Sequence, residues 1–266
     1  MIGPENNPGI APGVFKELFH LVKEDYNHNE VQVSTYIVEL YNDKLIDLLK
    51  PNGTNENYRL DIKYNKKGAV HVAGAIEKIV NSAEELSKVF REGIANRSTA
   101  ATLMNKNSSR SHLIITICLK VTHRQTGNVL SGKLTLLDLA GSERQSKTGA
   151  KDEQLQEANS INKSLSALGD VISALTSKAS HVPYRNSKLT LLLQDSLGGN
   201  AKTLIYVNAS PSAKNVNETC NSLEFASRFK KITNKVNKNS DSKEIARLKE
   251  VIKRLRKGED LDDNTI

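Results

Sequence analysis

The chain has no tryptophan and only two methionines among 266 residues, and aromatic residues make up 5%. It has two cysteines, Cys118 and Cys220, in apolar or helical contexts without metal-ligand spacing around them. That usage excludes a disulfide-stapled or zinc-ribbon scaffold and reads as reduced core thiols of a cytosolic protein. The longest apolar run, 113–119, falls far short of the ~20 residues a membrane span needs. The first residues have neither a basic n-region nor an apolar h-region, so no secretory signal is read there. No helix-turn-helix, zinc or aromatic stacking pattern accompanies the basic residues, which argues against nucleic acid as partner. No internal repeat is found.

What is present is a hydrophobic fraction of 38% and a formal net charge of +8. Helical and strand-like segments alternate, the pattern of a soluble α/β protein with one large core. The positive charge favours an acidic polymer or surface as partner, without choosing among them. The pattern predicts a helix opened by Pro12, a strand over 31–40, and a short helix over 43–49. A hairpin region follows over 59–79, turning at 65–68, and then a helix capped by Ser82 and Glu85. Residues 113–121 and 133–139 form the two clearest strands, apolar enough for a sheet buried on both faces and joined by a turn at 125–128. Helices are predicted over 154–175, 188–195 and 216–231, and a strand over 203–208. Residues 233–241 read as a linker before a basic amphipathic helix within 242–266.

Two polar segments border the apolar strands. Asp138-Leu-Ala-Gly-Ser-Glu143 closes one: a carboxylate at a strand end suits a hydrated Mg²⁺, and Gly141 lets a backbone N–H approach a phosphate. On its own D-x-x-G suits a structural turn equally well. Asn105-Lys-Asn-Ser-Ser-Arg-Ser-His112 precedes the other strand; alone, its hydroxyls suit a turn or N-cap better than a phosphate site. The two segments lie about 30 residues apart, each against an apolar strand. That pairing points to the switch loops of a phosphate-sensing nucleotide hydrolase.

Together, N-x-x-S-S-R-S-H and D-L-A-G-S-E resemble the switch pair of kinesin motor domains. Further stretches at 165–175, 181–190 and 194–200 resemble the same family, over about residues 1–231. The resemblance implies a P-loop NTPase-like α/β fold, a mostly parallel central sheet with helices on both faces. It implies an ATP- and Mg²⁺-dependent microtubule motor in the cytoplasm and on the cytoskeleton, the spindle included. By position, Ser109 and Asp138 would serve Mg²⁺, while Asn105, Ser108 and Gly141 would attend the nucleotide phosphates. Arg110 and Glu143 would close the two switches by a salt bridge, and Asn162 would couple the site to the track. Lys147, Lys163, Arg185 and Lys188 would face tubulin, with Lys151 nearby and Lys66 and Lys67 on a hairpin loop. For any single lysine a solvated face is the commoner role.

Residues 243–257 hold seven positive and two negative side chains, and Ile245, Leu248, Ile252 and Leu255 share one helical face. This suits a calmodulin target, a short coiled coil or a helix docked on the motor. The run resembles the regulatory tail of calmodulin-binding, C-terminal-motor kinesins, which implies minus-end direction and a dimer through an N-terminal stalk. Two departures stand out. Gly13 occupies a position where the family usually has arginine. No G-x-x-x-x-G-K-[ST] occurs among the 266 residues, whereas the family carries that phosphate loop before a methionine resembling Met1. The expectation is a truncated product, motor domain at 1–232, with an ATPase-inactive microtubule-binding protein as the alternative.

Overall fold

The computed structural model describes residues 1–4, 6–51, 59–65, 69–103, 110–141 and 152–234, without side chains for 98–103 and 152–158. The hairpin lysines 66 and 67 and the predicted tail helix lie outside the described residues.

Chain order is α1 (Ile10–Glu24), β1 (Asn29–Tyr41), β2 (Lys44–Asp47), β3 (Asp61–Tyr64), β4 (Val70–Ala73), β5 (Lys78–Val80) and α2 (Ala83–Leu103). Then come β6 (His112–His123), β7 (Val129–Asp138), α3 (Asp152–Thr176), α4 (Lys188–Leu192), α5 (Gln194–Gly198) and α6 (Val216–Phe229). The main sheet runs β2-β1-β6-β7, with β5 also on β1, and β3-β4 form a separate ribbon.

β1 and β6 are buried on both faces because their side chains alternate between two cores. Val33 and Ile37 of β1, with Leu113, Ile115 and Ile117 of β6, pack with Phe15 of α1 and with Leu86 and Phe90 of α2. Tyr36, Val38 and Leu40, with Ile114, point the other way, onto Leu168, Val171 and Ile172 of α3 and Leu189 of α4. Helices therefore flank the sheet on both faces, as expected. At the start of α2, Ser82 Oγ accepts from the Glu85 N–H at 3.2 Å. Glu85 returns a bond not to Ser82 but to the N–H of Asn81, at 2.7 Å.

Five local expectations are corrected. All pairings among the described strands are antiparallel, where a mostly parallel sheet is expected. Short hairpins join β1 to β2 and β6 to β7, and a short link can only reverse the chain. The predicted helix at 43–49 is instead β2. Asn42 and Asp43 both adopt positive φ, 46° and 56°, the two-residue turn that suits a twisted hairpin. Residues 203–208 form no strand: none of the described strands pairs with them, and Leu204 and Tyr206 are exposed. β7 is buried only in part, since among the described residues it is the edge of the sheet. Cys220 is likewise exposed, not a core thiol, and both cysteines are free. Gly13, in α1, faces open space, so nothing in the fold requires a glycine there.

A buried polar cluster pins the start of β6. Arg97 of α2 donates from Nε to Glu39 Oε1 of β1 at 2.9 Å. It also donates from Nη2 to the carbonyl of Ser111 at 3.1 Å and to its hydroxyl at 2.9 Å. The Ser111 hydroxyl in turn donates to Glu39. Arg97 is 9% exposed and Glu39 7%, so neither charge has water to fall back on. Removing one partner of such a pair costs about 3–5 kcal/mol, whereas replacing both by apolar residues is often close to neutral. Arg97→Ala is expected to lower the denaturant midpoint by that order, and Glu39→Leu combined with Arg97→Met to recover most of it. Urea unfolding of the three proteins checks this.

Candidate functional site

The two polar segments meet where β6 begins and β7 ends. Their antiparallel register sets Leu113 opposite Asp138, so the residues before β6 and after β7 emerge side by side. On the other flank, Leu40 of β1 pairs with His112. Leu40, Asn42, Asp43, Arg110, His112, Ser160, Ile161 and Ser164 line a small cleft between this corner of the sheet and α3.

His112 ties the corner together. Its Nδ1 accepts from the N–H of Ala140 at 2.9 Å, and its Nε2 lies 3.0 Å from Ser164 Oγ on α3. Ser164 donates its own proton to the Ile161 carbonyl at 2.7 Å. His112 and Ala140 are both nearly inaccessible. Burial, and then the Arg97 guanidinium, push the imidazole down to about 4 from its ordinary value.

Of the predicted residues, Asp138 is exposed at the end of β7 and Gly141 is half-buried, directly after the buried Ala140. Arg110 is half-buried and lines the cleft. Asn162 and Lys163 are exposed on α3, between the cleft-lining Ile161 and Ser164 in sequence. Arg185 is exposed in a short 3₁₀ turn, and Lys188 opens α4, its Nζ donating to the Asp43 carbonyl at 2.7 Å. The structure thus brings Arg110, Asp138 and Gly141 to one corner, with Asn162 beside it. Asn105, Ser108, Ser109, Glu143, Lys147 and Lys151 lie outside the described residues, as do Ile245, Leu248, Ile252 and Leu255.

Among the described residues, no group of three or more His, Cys, Asp or Glu side chains could hold a metal. A single exposed carboxylate is nonetheless what Mg²⁺ uses, because it keeps several waters and takes one or two protein oxygens. The donor chemistry of Asp138, with the glycine N–H beside it, fits a hydrated Mg²⁺ and a phosphate.

Sequence reasoning did not single out His112, Ser164 or Arg97. The S-R-S-H run gave the one signal for His112, but its partners lie 28 and 52 residues away. The unfolded imidazole takes a proton near pH 6.5 and the folded one only near 4, so the unfolded state binds more protons between those values. His112 therefore contributes stability that is complete above about pH 6.5 and declines as the pH falls toward 4. The expected loss is up to about 3 kcal/mol, and His112→Asn should remove most of that slope. Denaturant midpoints from pH 4 to 7 provide the check.

The kinesin motor domain family matches residues 1–232. The chain is 50% identical over 251 residues to the kinesin-like protein KIN-14I of Oryza sativa subsp. japonica, covering 94% of this chain and 20% of that protein. It is 48% identical over 250 residues to the kinesin-like protein KIN-14E of Arabidopsis thaliana, with coverage of 94% and 20%. It thus spans about a fifth of the length of these curated relatives. A solved fast kinesin, described for its ATPase mechanism and interactions with microtubules, superposes with a TM-score of 0.81 at 44% identity, over 90% of this chain and 67% of that one. The C-terminal motor and motor homology domain of Kar3Vik1, fused to a synthetic heterodimeric coiled coil, gives 0.73 at 37% identity, over 84% and 57%. By its family match, these identities and the shared fold, the chain belongs to the kinesin motor domain family.

Proposed function

We propose that this chain is the switch and track-binding part of an ATP-driven microtubule motor that works in the cytoplasm on the cytoskeleton. The observation that supports this best is the β6–β7 register, which brings the segments of Arg110 and of Asp138 and Gly141 to one corner of the sheet, joined to α3 through His112. ATP and Mg²⁺ would supply the phosphoryl chemistry. Asp138 and Ser109 would hold the hydrated metal, and the Gly141 N–H, with Asn105 and Ser108, would face the phosphates. Arg110 would pair with Glu143 to close the site. Little covalent work falls to the protein in such transfers, so its contribution is positioning and charge.

Asn162 and Lys163 share α3 with the residues that floor the cleft, which gives the middle of the helix one face at the site and an exposed face for a partner. Lys163 and Arg185 are exposed and Lys188 is half-buried, and with Lys147 they would offer positive charge to acidic tubulin. The Lys188 ammonium is held by a bond to the β1–β2 turn. The resemblance to C-terminal-motor kinesins supports minus-end direction and a dimer in the whole protein. The basic amphipathic pattern within 242–266 supports calmodulin as a regulatory partner.

The test is co-sedimentation of the full-length protein with microtubules in the presence of ADP and of a non-hydrolysable ATP analogue. Affinity is expected to differ between the two nucleotides. Lys163→Glu and Arg185→Glu should each weaken binding by about fivefold, more at low salt than at high. Tight binding that ignores the nucleotide would mark a microtubule-binding protein without a motor's cycle. Absence of binding would overturn the reading.

A further inference from the structure

Three elements that are far apart in sequence converge on one imidazole, and the direction of every hydrogen bond there is fixed. A backbone N–H can only donate, so the Ala140 amide makes His112 Nδ1 an acceptor. The ring proton then sits on Nε2 and is donated to Ser164 Oγ. Ser164 passes its own proton to the Ile161 carbonyl. Each proton is used once, and the chain of bonds has a single polarity from the loop after β7, through β6, into α3.

The neighbours on each side give this path its interest. Ser111, just before His112, is clamped by Arg97 and Glu39, so the imidazole stands on a fixed base. Ala140 is the residue before Gly141, and Asn162 and Lys163 immediately precede Ser164. We propose that His112 is a positioning residue that ties the backbone at Gly141 to α3, so that displacement of Gly141 by a phosphate and displacement of Asn162 and Lys163 occur together. The inference rests on the motor reading above for the identity of the phosphate, while the bond path itself does not. Both ring nitrogens are committed and buried, so the ring has no free atom with which to act on a substrate.

Three substitutions dissect the path in the full-length protein. His112→Asn places an amide oxygen where Nδ1 was and keeps the acceptor for Ala140, but falls short of Ser164. His112→Gln reaches Ser164 and abandons the Ala140 amide. Ser164→Ala leaves the Ala140 bond and cuts the other, and it is a small change in a helix. The first readout is hydrogen exchange at the Ala140 amide. It is expected to quicken about tenfold in His112→Gln and to remain slow in His112→Asn and Ser164→Ala. The second is the ratio of microtubule affinities between the ATP analogue and ADP. That ratio should fall about fivefold or more in all three variants, since a break at either end severs the coupling.

Unchanged Ala140 exchange in His112→Gln would overturn the bond path. The predicted exchange pattern with an undiminished affinity ratio in Ser164→Ala and His112→Asn would overturn the coupling, leaving a purely structural histidine. If the unsubstituted protein shows no nucleotide dependence, the motor reading fails and the coupling with it. The exchange pattern then still decides whether the histidine joins the two elements.

Discussion

The buried ion pair between Glu39 and Arg97 is the constraint on which the corner of the sheet depends. It joins β1 to α2, and through the Ser111 hydroxyl and carbonyl it fixes the residue where β6 begins. A charged pair with so little water around it is weak evidence for stability, because desolvation offsets most of the attraction. Its value here is geometric. The guanidinium fork sets Ser111 in one place, and His112, Leu113 and their partners follow from that placement through the β1–β6 and β6–β7 ladders.

The sheet then divides the molecule into two cores, one under α1 and α2 and the other under α3 and α4. The site lies at the edge of the second, where Leu168, Val171 and Ile172 hold α3 against Val38 and Ile114. The apolar contacts fix the C-terminal half of that helix, and the His112–Ser164 bond addresses its middle, beside the cleft. Positioning is thus split between non-directional packing, which sets distance, and a few directional bonds, which set orientation.

Features carried by local pattern were legible in the sequence. The three long strands β1, β6 and β7, the Gln125–Asn128 turn and the helices α1, α3 and α6 follow from apolar periodicity and turn residues, as does the cap of α2 at Ser82. The switch segments were found because their spacing around strands is a motif. What escaped depends on partners distant in the chain. Residues 203–208 have the composition of a strand, but a strand also requires a ladder neighbour, and none of the described strands pairs with them. The segment at 43–49 has apolar residues compatible with a helix, and the Asn42–Asp43 pair overrides that by accepting positive φ. Arg97, Glu39 and Ser164 look like ordinary surface residues in sequence. Only the fold shows each of them buried, Glu39 with Arg97 on the α2 side of the sheet and Ser164 against His112 on the α3 side.

That this corner belongs to an ATP-driven microtubule motor is the central claim, and steady-state ATP turnover of the full-length protein at increasing microtubule concentration tests it most directly. Turnover that rises and saturates with microtubules, and is lost in Arg110→Ala, is the predicted result. Microtubule binding with no ATP turnover at any concentration would contradict it.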